Sequence, residues 1–188
     1  MEAAPIGDLI RTAREGDGAA AEQLFASLYR ELHAIAERQL RRGGSNLTLG
    51  TTTLLHEAYL RIAAREGAEF ADRGHFLSYA SRAMRGLTID YVRRRQARKR
   101  GGEFHITSSS GEEPAVGSDL SSESLENLSA ALDELAAVNP LLAELVDLHF
   151  FCGFSLVEVA GMRGVTERTV QRDWRKARLL LHHAMQSL

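Results

Sequence analysis

The stretch from Ser155 to Arg178, SLVEVAGMRGVTERTVQRDWRKAR, constrains this chain more than any other. It reads as two short helices joined by a tight turn. Ser155 and Glu158 form a capping box, hydroxyl and carboxylate each satisfying a backbone N–H that helix geometry leaves open. The first helix is expected to end in Gly161-Met162-Arg163-Gly164, where glycine tolerates the positive φ of a sharp turn. Thr166 is placed to cap the second helix. Along that helix Val170, Trp174, Ala177 and Leu181 recur at i, i+4, i+7 and i+11, which makes one apolar face.

The opposite face carries Arg168, Gln171, Arg172 and Arg175, at i, i+3, i+4 and i+7. Arginine and glutamine read guanine and adenine edges in the major groove through paired hydrogen bonds. Only Glu167 and Asp173 are at hand to neutralise six basic residues between Arg163 and Arg178. A salt-bridged surface helix therefore fits less well than a helix-turn-helix that binds DNA.

Charge is distributed in the same sense. The net charge of −2 conceals a split. Residues 1–100 carry 17 Lys/Arg against 12 Asp/Glu, and residues 163–188 carry 6 against 2. Residues 101–162 carry 11 Asp/Glu and no Lys or Arg. Two basic ends held apart by an acidic middle suggest two nucleic-acid contacts.

The rest of the chain reads as helix. Leu9, Ile10 and Ala13 open an amphipathic turn that Gly16-Asp17-Gly18 interrupts. A helix over about 19–42 follows, with Leu24, Phe25, Leu28, Leu32, Ile35, Ala36 and Leu40 on one side, and Gly43-Gly44-Ser45-Asn46 ends it. The next helix covers about 52–64, with Leu55, Tyr59, Ile62 and Ala63 at helical spacing, closed by Gly67. A long helix over 74–100 ends in RRRQARKR at 93–100. Residues 101–123, rich in Gly and Ser with several acids, suit a flexible acidic linker. Helices over about 124–138 and 140–152, the second begun by Pro140, lead into the helix-turn-helix. The expected fold class is all-α: a helical domain over 1–100, a linker over 101–123 and a second helical domain over 124–188.

The basic tract at 93–100 shares its helix with Tyr79, Arg82 and Arg85. Arginines that hold phosphates beside aromatics that stack on exposed bases are the usual means of gripping a single strand. A solvated charged helix end is the plainer alternative. The single cysteine, Cys152, sits among apolar residues and is expected to fill core, and it excludes an internal disulfide. MEAAPIGDLI lacks the basic start and apolar run of a signal peptide, and no run is long enough for a membrane span. A cytoplasmic setting is expected, with no membrane partner. The histidines lack metal-ligand spacing and no phosphate-binding glycine loop occurs, so no metal, cofactor or catalytic residue is expected.

Taken together these segments resemble a bacterial sigma factor of the small, extracytoplasmic-function (ECF) type, over nearly the whole chain. HEAYLRIA at 56–63 resembles region 2.2, which docks on the clamp helices of the largest subunit of core RNA polymerase. HFLSYASRAMRGLTIDYVRRR at 75–95 resembles regions 2.3 and 2.4, which melt and read the −10 element. FCGFSLVEVAGMRGVTERTVQRDWRKAR at 151–178 resembles region 4.2, which reads the −35 element. The resemblance implies that His56, Glu57, Tyr59 and Arg61 meet the polymerase. It implies −10 contacts from Tyr79, Arg82, Arg85, Arg93, Arg94 and Arg95, and −35 contacts from Arg168, Gln171, Arg172 and Arg175. Promoter DNA, core polymerase and an anti-sigma factor are the implied partners.

Two departures stand out. Gly86 occupies the place where relatives carry an asparagine that helps pocket a flipped −10 base. Gly50-Thr51-Thr52-Thr53 replaces an acidic cluster that pairs with arginines of the polymerase clamp. Three threonines at a helix start can be ordinary first-turn residues. They are also sites where a phosphate would restore the missing charge beside the positive end of the helix dipole. Thr52, and after it Thr53, is the candidate for phosphorylation by a Ser/Thr protein kinase, an association that a subset of similar sigma factors has. The rival reading is a stand-alone helix-turn-helix repressor that works without polymerase. A recombinase with a C-terminal helix-turn-helix would need an alternating β/α domain, which the helical N-terminal block does not provide.

Overall fold

Apolar spacing at helical period carries through into helices wherever the chain is described. The structure, a computed structural model, describes residues 12, 18–42, 49–64, 70–101 and 122–187. The expectations for Leu9 to Asp17, for Gly43 to Asn46, for Gly67 and for most of the 101–123 linker lie outside them. Every long element among the described residues is helical and none is a strand, so the all-α class holds.

Helix α1 (Gly18–Ser27) is followed by α2 (Tyr29–Arg42), α3 (Thr51–Ala63) and the long α4 (Arg73–Gly101). After the charged middle come α5 (Ser122–Val138), α6 (Pro140–Val146), α7 (Leu156–Arg163) and α8 (Glu167–Gln186). The single helix expected over 19–42 is divided at Leu28. There the Ser27 hydroxyl donates to the Gln23 carbonyl at 2.7 Å, a back-bond of the kind that competes with the helix ladder. The start of α4 is set by Asp72, whose carboxylate accepts from the His75 N–H at 2.8 Å. Pro140 opens α6 as expected, behind Asn139, whose side chain accepts from the Leu142 N–H.

The helix expected over 140–152 does not run uniformly. From Asp147 to Cys152 it widens into a π-type turn, which ends at Gly153 with φ 87°. Extra backbone in one turn rotates the following side chains, so Asp147, Leu148, Phe151 and Cys152 all point inward. Gly153 suits the left-handed φ, and the Arg38 guanidinium lies against it where a Cβ would stand.

Two apolar clusters result, and α4 contributes to both. The first joins Leu24, Leu32 and Ile35 of α1 and α2 to Leu54 and Ala58 of α3 and to Phe76, Leu77 and Met84 of α4. It also takes in Leu145, Leu148, Cys152, Val159 and Val170 from beyond the charged middle. The second gathers Leu125, Leu132, Leu142, Phe151, Ala177 and Leu181 around Ile89 of α4. The N-terminal and C-terminal blocks are thus packed together, with the π-type turn laid along α4.

Cys152 lies in that seam. Its thiol contacts the Leu77 carbonyl at 3.7 Å. Burial above all, then the nearby Asp147 charge, pushes the thiol up to about 12. Because only the thiolate is nucleophilic, iodoacetamide at pH 8 is expected to label native Cys152 about a thousandfold more slowly than the urea-unfolded chain. Equal labelling rates would show that the thiol is not held in this seam.

Candidate nucleic-acid interface

The helix-turn-helix is built from local caps. Ser155 Oγ accepts from the Glu158 N–H at 3.2 Å, while Glu158 Oε2 accepts from the Ser155 N–H at 2.7 Å and from its hydroxyl at 2.8 Å. These bonds, the backbone one first, hold the Glu158 carboxyl below its ordinary range. The turn is made by Gly164 alone, at φ 62°. Gly161, expected to share it, stays helical within α7. Thr166 caps α8 by accepting from the Thr169 N–H at 3.3 Å. Val170, Ala177 and Leu181 are buried, and Trp174 is half-buried with its ring edge-on to His149 at 4.6 Å.

This anchoring turns the other side of α8 outward. Arg168, Arg172 and Arg175 are exposed and Gln171 is half-exposed. Together with Thr166 and Thr169 they line one shallow depression of about 440 Å³. Their own contacts are short-range: Gln171 Nε2 donates to Glu167 Oε1 at 2.8 Å, and Arg172 meets Asp173 at 3.4 Å. Such bonds between neighbours on an exposed helix contribute little and exchange readily. The four side chains are therefore brought together and left available.

The second set of predicted DNA contacts is placed differently. Arg94 is exposed and Arg95 half-exposed, toward the C-terminal part of α4. Arg93 pairs with Glu126 of α5 at 3.0 Å. Tyr79 packs its ring against Phe70 at 5.4 Å. Arg85 is 1% exposed and donates to Asp147 Oδ1 at 2.6 Å. Arg82 reaches Asp147 Oδ2 at 3.4 Å, and the Ser78 hydroxyl donates to the same oxygen at 3.3 Å. Arg61, Tyr79, Arg82, Arg85 and Gly86 border a cleft of about 350 Å³ that Ser129 and Asp133 of α5 close from above. Gly86 leaves space in it, the nearest group to a Cβ there being Arg61 Nη1.

Helix α3 carries the predicted polymerase contacts in two rows. His56 and Tyr59 share one side with Thr52, along a hollow of about 340 Å³ that Glu22, Phe25 and Tyr29 complete. The Tyr59 hydroxyl donates to Glu22 at 3.1 Å. Glu57 lies on the adjoining side with Thr53 and Arg94. Arg61 turns to Asp90 at 3.4 Å. Gly50, not a threonine, occupies the cap position, and no side chain caps the helix. Thr52 and Thr53 are exposed in a first turn that contains no acid.

Asp147 is the functional candidate that the sequence reading passed over. Its signal was present in LLAELVDLHFFC, where an acid flanked by Val146 and Leu148 in an apolar run calls for a buried cation. Among the described residues no group of three or more His, Cys, Asp or Glu is placed to hold a metal ion. No helix among them is long and apolar enough to cross a membrane.

Comparison with known families adds one finding. The family model described as ECF sigma factor matches residues 3–187. A search of curated proteins found no match. A match spanning both helical blocks does not favour the stand-alone repressor.

The capping box yields a stability test. Ser155→Ala removes the acceptor for the Glu158 N–H and is expected to cost about 1 kcal/mol in urea denaturation. Because the Glu158 carboxyl is depressed in the folded state, its contribution is present above the ordinary carboxylate range and fades as pH falls through the lowered value. The difference between wild type and Glu158→Gln should shrink on acidification. A gap that widens below pH 4 would contradict the cap.

Proposed function

The chain belongs to the ECF sigma factor family, and from that premise we propose how its surfaces divide the reading of a promoter. As a member of that family it is a non-enzymatic factor that binds core RNA polymerase and directs transcription initiation at promoter DNA. In our reading residues 124–188 hold the −35 duplex through Arg168, Gln171, Arg172 and Arg175. Residues 1–100 dock on the polymerase clamp through His56, Glu57, Tyr59 and Arg61. They also grip the opened −10 strand through Tyr79, Arg82, Arg85, Arg93, Arg94 and Arg95, and residues 101–123 tether the two. An anti-sigma factor, usual in the family, is a further proposed partner.

The observation that carries this reading is the Arg/Gln face of α8. Its four side chains are held in solvent by a helix capped at its start and anchored along its back by Val170, Ala177 and Leu181. The test is Arg172→Ala in the holoenzyme, on promoter DNA selected by the wild type. Binding is expected to weaken by about 1–3 kcal/mol with relaxed preference at one base pair. Unchanged affinity and preference would remove Arg172 from the reading face.

The finer part of the proposal concerns Thr52. It stands in the first turn of α3, where N–H groups lack helical partners and an anion is welcome. It shares a side of the helix with His56 and Tyr59, whereas Thr53 shares a hollow with Arg94, a cation of this same chain. A phosphate on Thr52 would thus be offered outward, to arginines of a partner. It carries about −1.5 to −2 charges, and a charge-assisted hydrogen bond contributes about 1.5–3 kcal/mol. Thr52→Asp, and more so the Thr52→Asp/Thr53→Asp pair, is expected to bind core polymerase at least about tenfold more tightly than the unmodified chain. Equal and tight binding by all three would leave the threonines as ordinary first-turn residues with no kinase to answer.

A further inference from the structure

The apolar back of α8 is not wholly covered. Between α5, the π-type turn and α8 lies a groove of about 660 Å³. Small-molecule sites occupy about 300–1,000 Å³ and pair a mostly apolar lining with a few convergent polar groups. Val146 and Leu181 lie recessed in this groove, at 2% and 8% exposure, and Phe150 and Trp174 line it half-buried. Its charged lining is of one sign. Arg175, Arg178 and His182 are exposed along it, and among the described residues no lining side chain is acidic. The two acids of α8 are engaged outside the groove, Glu167 with Gln171 and Asp173 with Arg172.

The basic groups recur at i, i+3 and i+7, which makes one rim about 10 Å long. An apolar recess under a cationic rim suits a slender molecule with an apolar tail and an anionic head. A bilayer surface cannot reach side chains recessed to that depth, whereas a single acyl chain can. We propose that this groove binds a free long-chain monocarboxylate, its chain laid over Val146 and Leu181 and its carboxylate held by Arg175 and Arg178. Arg175 also borders the depression that Arg168, Gln171 and Arg172 line. A bound carboxylate therefore draws one cation away from the duplex, and occupancy of the groove weakens the grip on DNA. That coupling, though not the groove itself, rests on the −35 reading proposed above.

Trp174 is the chain's one tryptophan and lines the groove, so its emission reports occupancy in the full chain without a label. Dodecanoate, titrated below its micelle concentration, is expected to move that emission to shorter wavelength along a saturable curve. Each buried methylene raises affinity about fourfold, so decanoate should bind roughly tenfold more weakly. Dodecanol, which lacks the charge, and dodecanoate with Arg178→Gln should each bind at least about tenfold more weakly than dodecanoate with the wild type. On a duplex selected by the wild-type holoenzyme, saturating dodecanoate should weaken binding about as much as Arg175→Ala does, and Arg178→Gln should blunt that effect. No saturable shift, equal affinity for dodecanol, or a response that tracks loss of helix in circular dichroism would overturn the site and leave the −35 reading intact. A shift that appears on concentrating the chain alone would give the groove to a second copy instead. Saturable binding that leaves the duplex affinity unmoved, where Arg175→Ala lowers it, would overturn the coupling. If Arg175→Ala itself leaves that affinity unmoved, Arg175 drops out of the −35 reading and the coupling falls with it, while the fluorescence still decides the groove.

Discussion

A carboxylate at 1% exposure cannot persist alone, and Asp147 organises the molecule around its need for partners. Arg85, equally buried, supplies one; Arg82 and the Ser78 hydroxyl share the other oxygen. Such a pair gains little over a well-packed apolar substitute, because desolvation offsets much of the Coulomb attraction. Removing one partner is a different matter, at about 3–5 kcal/mol, since the other charge is left buried and unmatched. That is a large share of the roughly 5–15 kcal/mol that holds a typical domain together. The pair therefore specifies an arrangement more than it strengthens one. Only with the π-type turn laid along α4 are both ions satisfied.

The elements that could be read from sequence are those whose cause is local. Ser155 with Glu158, Thr166 and Pro140 are local signals, and each stands at the helix start expected of it. The exposed face of α8 was legible because its back is apolar at strict helical spacing. Helix α4 was not, because it is buried on several sides at once. Ser78, Ser81, Thr88 and Arg85 are all under 3% exposed, yet their residue types belong to surfaces. Ser78 and Arg85 meet Asp147, 69 and 62 residues further along the chain, and the Ser81 hydroxyl accepts from Gln39, 42 residues before it. No window of sequence spans that separation. The π-type turn was hidden for a related reason: it inserts no residue of unusual type, and only the packing of Phe151 and Cys152 reveals the change of phase.

The candidate sites divide along the same line. The Arg/Gln face of α8 depends on its own helix and is presented complete. The face on α4 depends on what lies across it, so its chemistry is decided by residues from the other end of the chain. The first turn of α3 is intermediate. Its exposure follows from local sequence, but which threonine borders the Glu22 hollow and which the Arg94 hollow follows from the neighbouring helices.

The length of α4 gives this architecture a mechanical property. At 29 residues it is a rod of about 43 Å, and it feeds Phe76, Leu77 and Met84 into one cluster and Ile89 into the other. A stiff rod cannot be peeled away a turn at a time while both clusters remain intact. Separating the C-terminal block would accordingly disturb two cores and one buried ion pair together. The seam is thus a single mechanical unit, in which the two clusters and the buried ion pair brace one another along one rod.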